Sequence, residues 1–487
     1  MTPNELEIRH LLARTGLGAP TRPEVDALRR ISYPDAVRTL LATAGTRPTT
    51  AAPEWHFPGP GAVTPQMTRE ERQAIQRLRG MDGNALKGWW WTELLSTPSP
   101  LTEHMVVFWH NHFTSSLRKV KLPDLLYQQN ALYRDHALGN FAIMLRSVAR
   151  DPAMMVYLDT NDNRAAAPNE NFARELMELF TLGEGHGYTE ADIREAARAF
   201  TGWRYRPASG PVFERRVHDS GQKTVLGQTG AFTGDDIVDI LLRHPRTAEF
   251  ITEKLWREFI SADPDADLVR RLAAQFRDSG YELKPLVESL LLSDAFRAAR
   301  GTLVKSPVEL IAGTFRAFGA APRDPRVLSV LGRSMGQDLF DPPNVKGWPG
   351  GLEWVDTANL PVRHAFLYGA AQTLALVETG ARQGPGARAA GRPKRLPEAP
   401  MPPPTVEPGM DAGMDAGMDA GGMAGDGQST APRVTFARLD LDEYRALAAL
   451  NDIELAHLLL PVPPVGGADA VAGRIGSLLL DPAYQLK

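Results

Sequence analysis

The chain contains no cysteine in 487 residues. That one absence removes disulfides, thiolate metal ligands and a cysteine nucleophile. Also missing is any apolar run of the roughly 18 residues that a bilayer span requires. The first twenty residues, MTPNELEIRHLLARTGLGAP, are charged and amphipathic and lack the basic-then-apolar order of a secretory signal. Together these predict a cytoplasmic protein with no membrane span, and leave open export alongside a signal-bearing partner. Charge of one sign is lacking too, with Lys+Arg 54 against Asp+Glu 58 and a net charge of -4. No global basic field exists to draw the chain to nucleic acid, and no nucleic-acid partner is expected. The chain carries no G-x-x-x-x-G-K-[ST], G-x-S-x-G or H-E-x-x-H motif and no dinucleotide glycine fingerprint, which disfavours standard nucleotide, serine-hydrolase and zincin chemistry.

What is present is 43% hydrophobic, enough for one large core or two smaller ones. From Thr2 to Gly380 the dominant period is helical, with start signals such as Ser306-Pro307-Val308-Glu309, in which serine caps and glutamate closes a capping box. The expected fold is mainly α, a multi-helix globular bundle. A small β-hairpin excursion is predicted over Val212 to Gly227, turning near Ser220-Gly221. Residues 383–432 change character, from PEAPMPPPTVEP to GMDAGMDAGMDAGG. This composition predicts a long disordered insertion, although Met410, Met414 and Met418 also suit a soft-metal tract. The expected organisation is a helical body over 1–382, the linker, and a helical segment over 433–487 that packs back on the body. An internal echo supports that return: SLLLSDAF at 289–296 resembles SLLLDPAY at 477–484, with DPAM at 151–154 a weaker third copy.

The most ordered polar residues lie between Asn169 and Gly202. At about 100° per residue, Asn171, Arg174, Glu175 and Glu178 share one stripe of a helix, opposite Phe172, Leu176, Leu179 and Phe180. Glycines at 183, 185 and 187 stop this helix, and Thr189 with Asp192 starts a second one. Glu175 and Glu178 repel each other unless a cation intervenes, and Arg174 supplies one at i, i+4 to Glu178. The pattern fits a solvated stripe. It equally fits a general acid and base.

Three further groups stand out. In LTEHMVVFWHNHFTSS, Glu103 and His110 share a face, as do His104 and Asn111, whereas His110 and His112 point apart. A metal centre here would combine His104 or His110 with Glu175 and Glu178, a nitrogen and oxygen set suited to zinc, manganese or iron; buried hydrogen-bonded pairs are the alternative. His218 and Asp219 with Lys223 can bind an anion or form a charged turn. The rigid loop DPPNVKGWPGG holds Asn344, Lys346 and Trp348 in set positions, for a carbohydrate or other ligand or as a lid on the core.

These blocks, together with HLLARTGLG at 10–18 and ARDPAMMVYLD at 149–159, resemble a bacterial family catalogued as domain of unknown function 1800. The resemblance implies a mainly helical bacterial protein. It also implies a partner: members are often encoded beside a second family, domain of unknown function 1501, similar to phosphatases and sulfatases. The functional expectation is a hydrolase-like enzyme, with a cleft in which Glu175, Glu178, His110 and Arg174 are catalytic and Asn111, Asn171, His218, Asp219, Lys223, Asn344, Lys346 and Trp348 bind. A divalent metal on His104, His110, Glu175 and Glu178 is the expected cofactor, and an anionic small molecule or carbohydrate the expected ligand. The alternative is a noncatalytic binding or assembly partner.

Overall fold

The computed structural model describes residues 3–382 apart from 60 and 62, then 438–440, 447, 449–465 and 473–487. The expected linker, with Met410, Met414 and Met418, lies outside the described residues.

Helices make the fold, and their starts are written in the sequence. Thr21, Thr68, Thr189, Ser306 and Asn451 each close a capping box, and a proline fills the first turn after Ser32, Ser99, Asp151 and Ser306. The 28-residue helix Arg69–Ser96 runs through the middle. Trp89, Trp90 and Trp91 on three different sides of it are all buried, at 5%, 0% and 0% exposure. A helix apolar all round must be covered all round. Helices Pro307–Ala317 and Arg326–Ser334 pack against it, as does Pro123–Asp135. Pro100–His112 lies on Pro123–Asp135 and is joined to it by a fully buried ion pair, in which Arg134 Nε donates to Glu103 Oε1 at 2.6 Å. Trp90 Nε1 donates to the other carboxylate oxygen at 3.0 Å. Removing either charged partner would strand the other away from water.

The three echoed segments share one device. Asp151 and Ser293 accept from the backbone N–H three residues on, Asp481 from Ala483, and Met154, Phe296 and Tyr484 are buried completely. Helix Gly473–Leu480 packs on Asn359–Arg382. Buried cations clamp the end of the chain: Arg14 donates to Lys487 O at 2.9 Å, Lys305 Nζ to Tyr484 O at 2.6 Å and Arg363 Nε to Gln485 Oε1 at 2.7 Å.

Among the described residues the β structure is three two-stranded sheets, and the hairpin geometry differs from the sequence expectation. Two antiparallel hairpins form here, Trp203–Arg206 with Gly210–Phe213 and Lys223–Val225 with Gln228–Gly230. Ser220-Gly221 lies between them. The second turn is Leu226-Gly227, both with positive φ (49° and 76°), which matches the twist of a two-residue hairpin loop. Leucine at φ > 0 gives no sequence warning, and its N–H is fixed by Asp192 Oδ1 at 2.7 Å.

Candidate functional site

The polar seam begins in helix Asn171–Glu175 and continues through a π-helical turn, Leu176–Thr181. The wider winding shows in Leu182 N, which donates to Met177 O five residues back at 2.9 Å, while the Thr181 hydroxyl donates to Leu176 O at 2.6 Å. Such turns recur at functional sites. Arg174 gathers three carboxylates, Glu170 at 3.0 Å, Glu178 at 3.2 Å and Glu190 at 2.7 Å. Glu175 is half-buried and no described side chain or N–H donates to it. Burial, then the neighbouring Glu178 charge, pushes its carboxyl up to about 7, against the opposing pull of Arg174. Asn171 is exposed and donates to Asp159 at 3.3 Å.

The loop after Asp341 is tied to the Pro100–His112 helix. Asn111 Oδ1 accepts from Trp348 N at 2.6 Å. Gly347, at φ 89°, lies so close that a Cβ there would fall 2.1 Å from the same oxygen. Only glycine fits. Asn344 accepts from Lys346 N at 2.9 Å, and Lys346 Nζ reaches Glu184 at 2.8 Å. His110 is caged by Trp90, Phe340 and Trp348 with ring centroids 5.4 to 5.6 Å away, and burial holds its pKa down to about 3. Its Nε2 reaches no hydrogen-bond partner. On the hairpin side, Arg198 Nε donates to Asp219 at 2.7 Å, His218 Nδ1 lies 2.8 Å from Thr201 O, and Lys223 Nζ donates to Asp219 O and Gly221 O. These bonds tie His218 Nδ1, Asp219 and Lys223 into the turn itself.

A second constellation occupies a cavity of about 620 Å³ lined by helices Pro100–His112, Pro245–Phe259 and Pro307–Ala317, the Pro349–Trp354 segment and Lys487. His104 enters it with 3% of its side chain exposed, Nε2 2.8 Å from Glu258 Oε1 and Nδ1 3.5 Å from Glu309 Oε1. Nδ1 also lies 2.8 Å from Gly16 O. Lys487 Nζ sits 2.5 Å from Glu309 and 3.5 Å from Glu258. Glu258 is half-buried, with 31% of its side chain accessible, and lines the cavity. Burial raises its pKa, but Lys487 and His104 outweigh that and hold it below the usual carboxylate range. Lys254 lines the same cavity. Its ammonium lies 5.1 Å from the Phe250 ring centroid with no carboxylate paired to it among the described residues, and burial beside Arg257 brings it down to about 8. His112, on the same wall, is kept neutral by burial first and by Lys254 second.

Of the side chains expected from sequence to share a metal, only His104 joins such a group: among the described residues, His104, Glu258 and Glu309 place ligand atoms within 4.8 Å of one another. Sequence reasoning missed Glu258, Glu309, Lys254 and Lys487. Glu309 was visible as the capping-box residue, and it is that, since Oε2 accepts from Ser306 N at 2.8 Å while Oε1 faces Lys487. Glu258 had a subtler signal, an acid seven residues after Ile251 on the buried stripe of Pro245–Phe259.

A family model described as protein of unknown function (DUF1800) matches residues 10–453. The chain belongs to the DUF1800 family. No curated protein and no solved structure matches it. No described helix of this DUF1800 protein is long and apolar enough to cross a membrane.

Proposed function

We propose that this DUF1800 protein is a hydrolase-like enzyme whose reacting centre is the cavity around His104 and Glu258. The observation that carries the reading is a histidine held 2.8 Å from one carboxylate and 3.5 Å from a second, on the wall of a chamber that also holds Lys254, which has no carboxylate partner among the described residues. Glu258, ionised, accepts the proton of a water as the water oxygen attacks the substrate's electrophilic centre. Lys487, 3.5 Å from Glu258, orients that carboxylate, and Lys254 with Arg257 attracts an anionic group of a small substrate. The volume lies within the range of small-molecule sites, about 300 to 1,000 Å³. A panel of phosphate, sulfate, carboxylic and glycosidic esters offered to wild type and Glu258→Gln tests this. Turnover falls by about 10²- to 10⁴-fold in the variant, and a variant as active as wild type overturns the reading.

A second reading places the proton transfer at Glu175. It is favoured by a carboxyl with no hydrogen-bond donor among the described residues, raised to about 7, and a π-turn beneath it. Glu175→Gln in the same panel separates the two.

A further inference from the structure

We infer that His104, Glu258 and Glu309 form a divalent-cation site facing the cavity, with the Lys487 ammonium taking the metal's place when the metal is absent. The inference rests on the reading of the cavity as the reacting centre and names the cofactor of that centre.

The tautomer of His104 is the first argument. Nδ1 lies 2.8 Å from Gly16 O, an acceptor only, so Nδ1 carries a proton. This is the outer bond that metal-ligating histidines characteristically make, and it turns the lone pair of Nε2 outward. Nε2 then lies 2.8 Å from Glu258 Oε1, and among the described residues no hydrogen bond of good geometry reaches it. A lone pair facing a carboxylate oxygen at that distance is repelled unless positive charge stands there, supplied by a second ring proton, by Lys487 or by a bound cation. The side chain is 3% exposed, so water does not provide the remedy.

Geometry and charge supply the rest. One ring nitrogen of His104 and one carboxylate oxygen each of Glu258 and Glu309 already lie within 4.8 Å of one another. A tetrahedral ion with bonds of about 2.0 to 2.2 Å needs them roughly 3.5 Å apart, a change reachable by side-chain adjustment. Glu309 is anchored through Oε2 by the Ser306 N–H at 2.8 Å, leaving Oε1 for the ion, and Glu258 opens onto the cavity, which leaves room for a water as fourth ligand. Lys487 Nζ marks where positive charge is favoured, 2.5 Å from Glu309 and 3.5 Å from Glu258. One imidazole and two carboxylates suit zinc or manganese among common divalent ions.

The test uses the full chain, stripped with EDTA and dialysed against Zn²⁺ or Mn²⁺, with bound metal measured by mass spectrometry and melting followed with and without metal. Wild type takes up about one ion per chain, and folded His104→Ala takes up none. Lys487→Met melts lower than wild type in EDTA and recovers when metal is added, because the ion restores the lost charge. A metal-free wild type, or a Lys487→Met protein whose melting ignores metal, overturns the site. Metal uptake without turnover of any ester would spare the site and defeat the hydrolase reading. Turnover by the EDTA-treated protein would spare the hydrolase reading and defeat the ion as its cofactor.

Discussion

The seam and the cavity contain similar side chains and solve the same charge problem in opposite ways. On the seam, one arginine serves three carboxylates, and its partner Glu190 keeps 64% of its side chain exposed, so water and salt share the load. In the cavity, Glu309 is 7% exposed and Lys487 4%, and each charge depends on a named neighbour. A surface cluster tolerates the loss of a member. A buried one does not, and that dependence makes the cavity responsive to a ligand that brings or removes charge.

The sharpest way to break this comparison is Lys487→Met, which strands Glu258 and Glu309. Urea unfolding in EDTA should show a loss of about 3–5 kcal/mol; a loss no larger than that of a surface variant would mean that the cavity is as solvated as the seam. Lys254→Met should leave folding intact and raise KM for an anionic substrate by roughly tenfold, with a smaller change in kcat, since it removes binding of a distal charge. Steady-state kinetics across salt concentrations reads this.

Glu175 sharpens the seam side. Its pKa rises from 4.5 to about 7 on folding, so the folded chain holds this proton more tightly than the unfolded one. The stabilising contribution is complete below pH 4.5 and is lost as pH rises through 7. Glu175→Gln should therefore melt about 1–2 °C above wild type at pH 8 and no higher at pH 4.5; a gap that is equal at both pH values contradicts the assignment. Smallest is Arg174→Met, for which a melting decrease of about 1–2 °C is expected at low salt. It should shrink in 0.5 M NaCl, and a decrease that persists there would show that the seam is not screened.

The two regions also differ in how far the sequence reveals them. Helix starts were legible because caps are local: Thr189 with Asp192 and Ser306 with Glu309 form the boxes their spacing announces. The stripe of Asn171, Arg174, Glu175 and Glu178 was legible because one helix displays it, although the π-turn that widens it carries no periodic signal. The cavity joins residues 104, 258, 309 and 487, which no local pattern links. Glu309 was hidden behind its own capping role. His104 could be singled out as a ligand, but its carboxylates are brought by helices remote in sequence. The hairpins differ from expectation for a related reason, since Leu226 takes a positive φ that leucine does not announce, with its N–H held by Asp192.

The most direct measurement is parallel turnover of the ester panel by wild type, Glu258→Gln and Glu175→Gln, each checked for folding by circular dichroism. The cavity account predicts that Glu258→Gln loses at least about a hundredfold while Glu175→Gln stays close to wild type. The opposite ranking, or a wild type that turns over none of the panel, would contradict it.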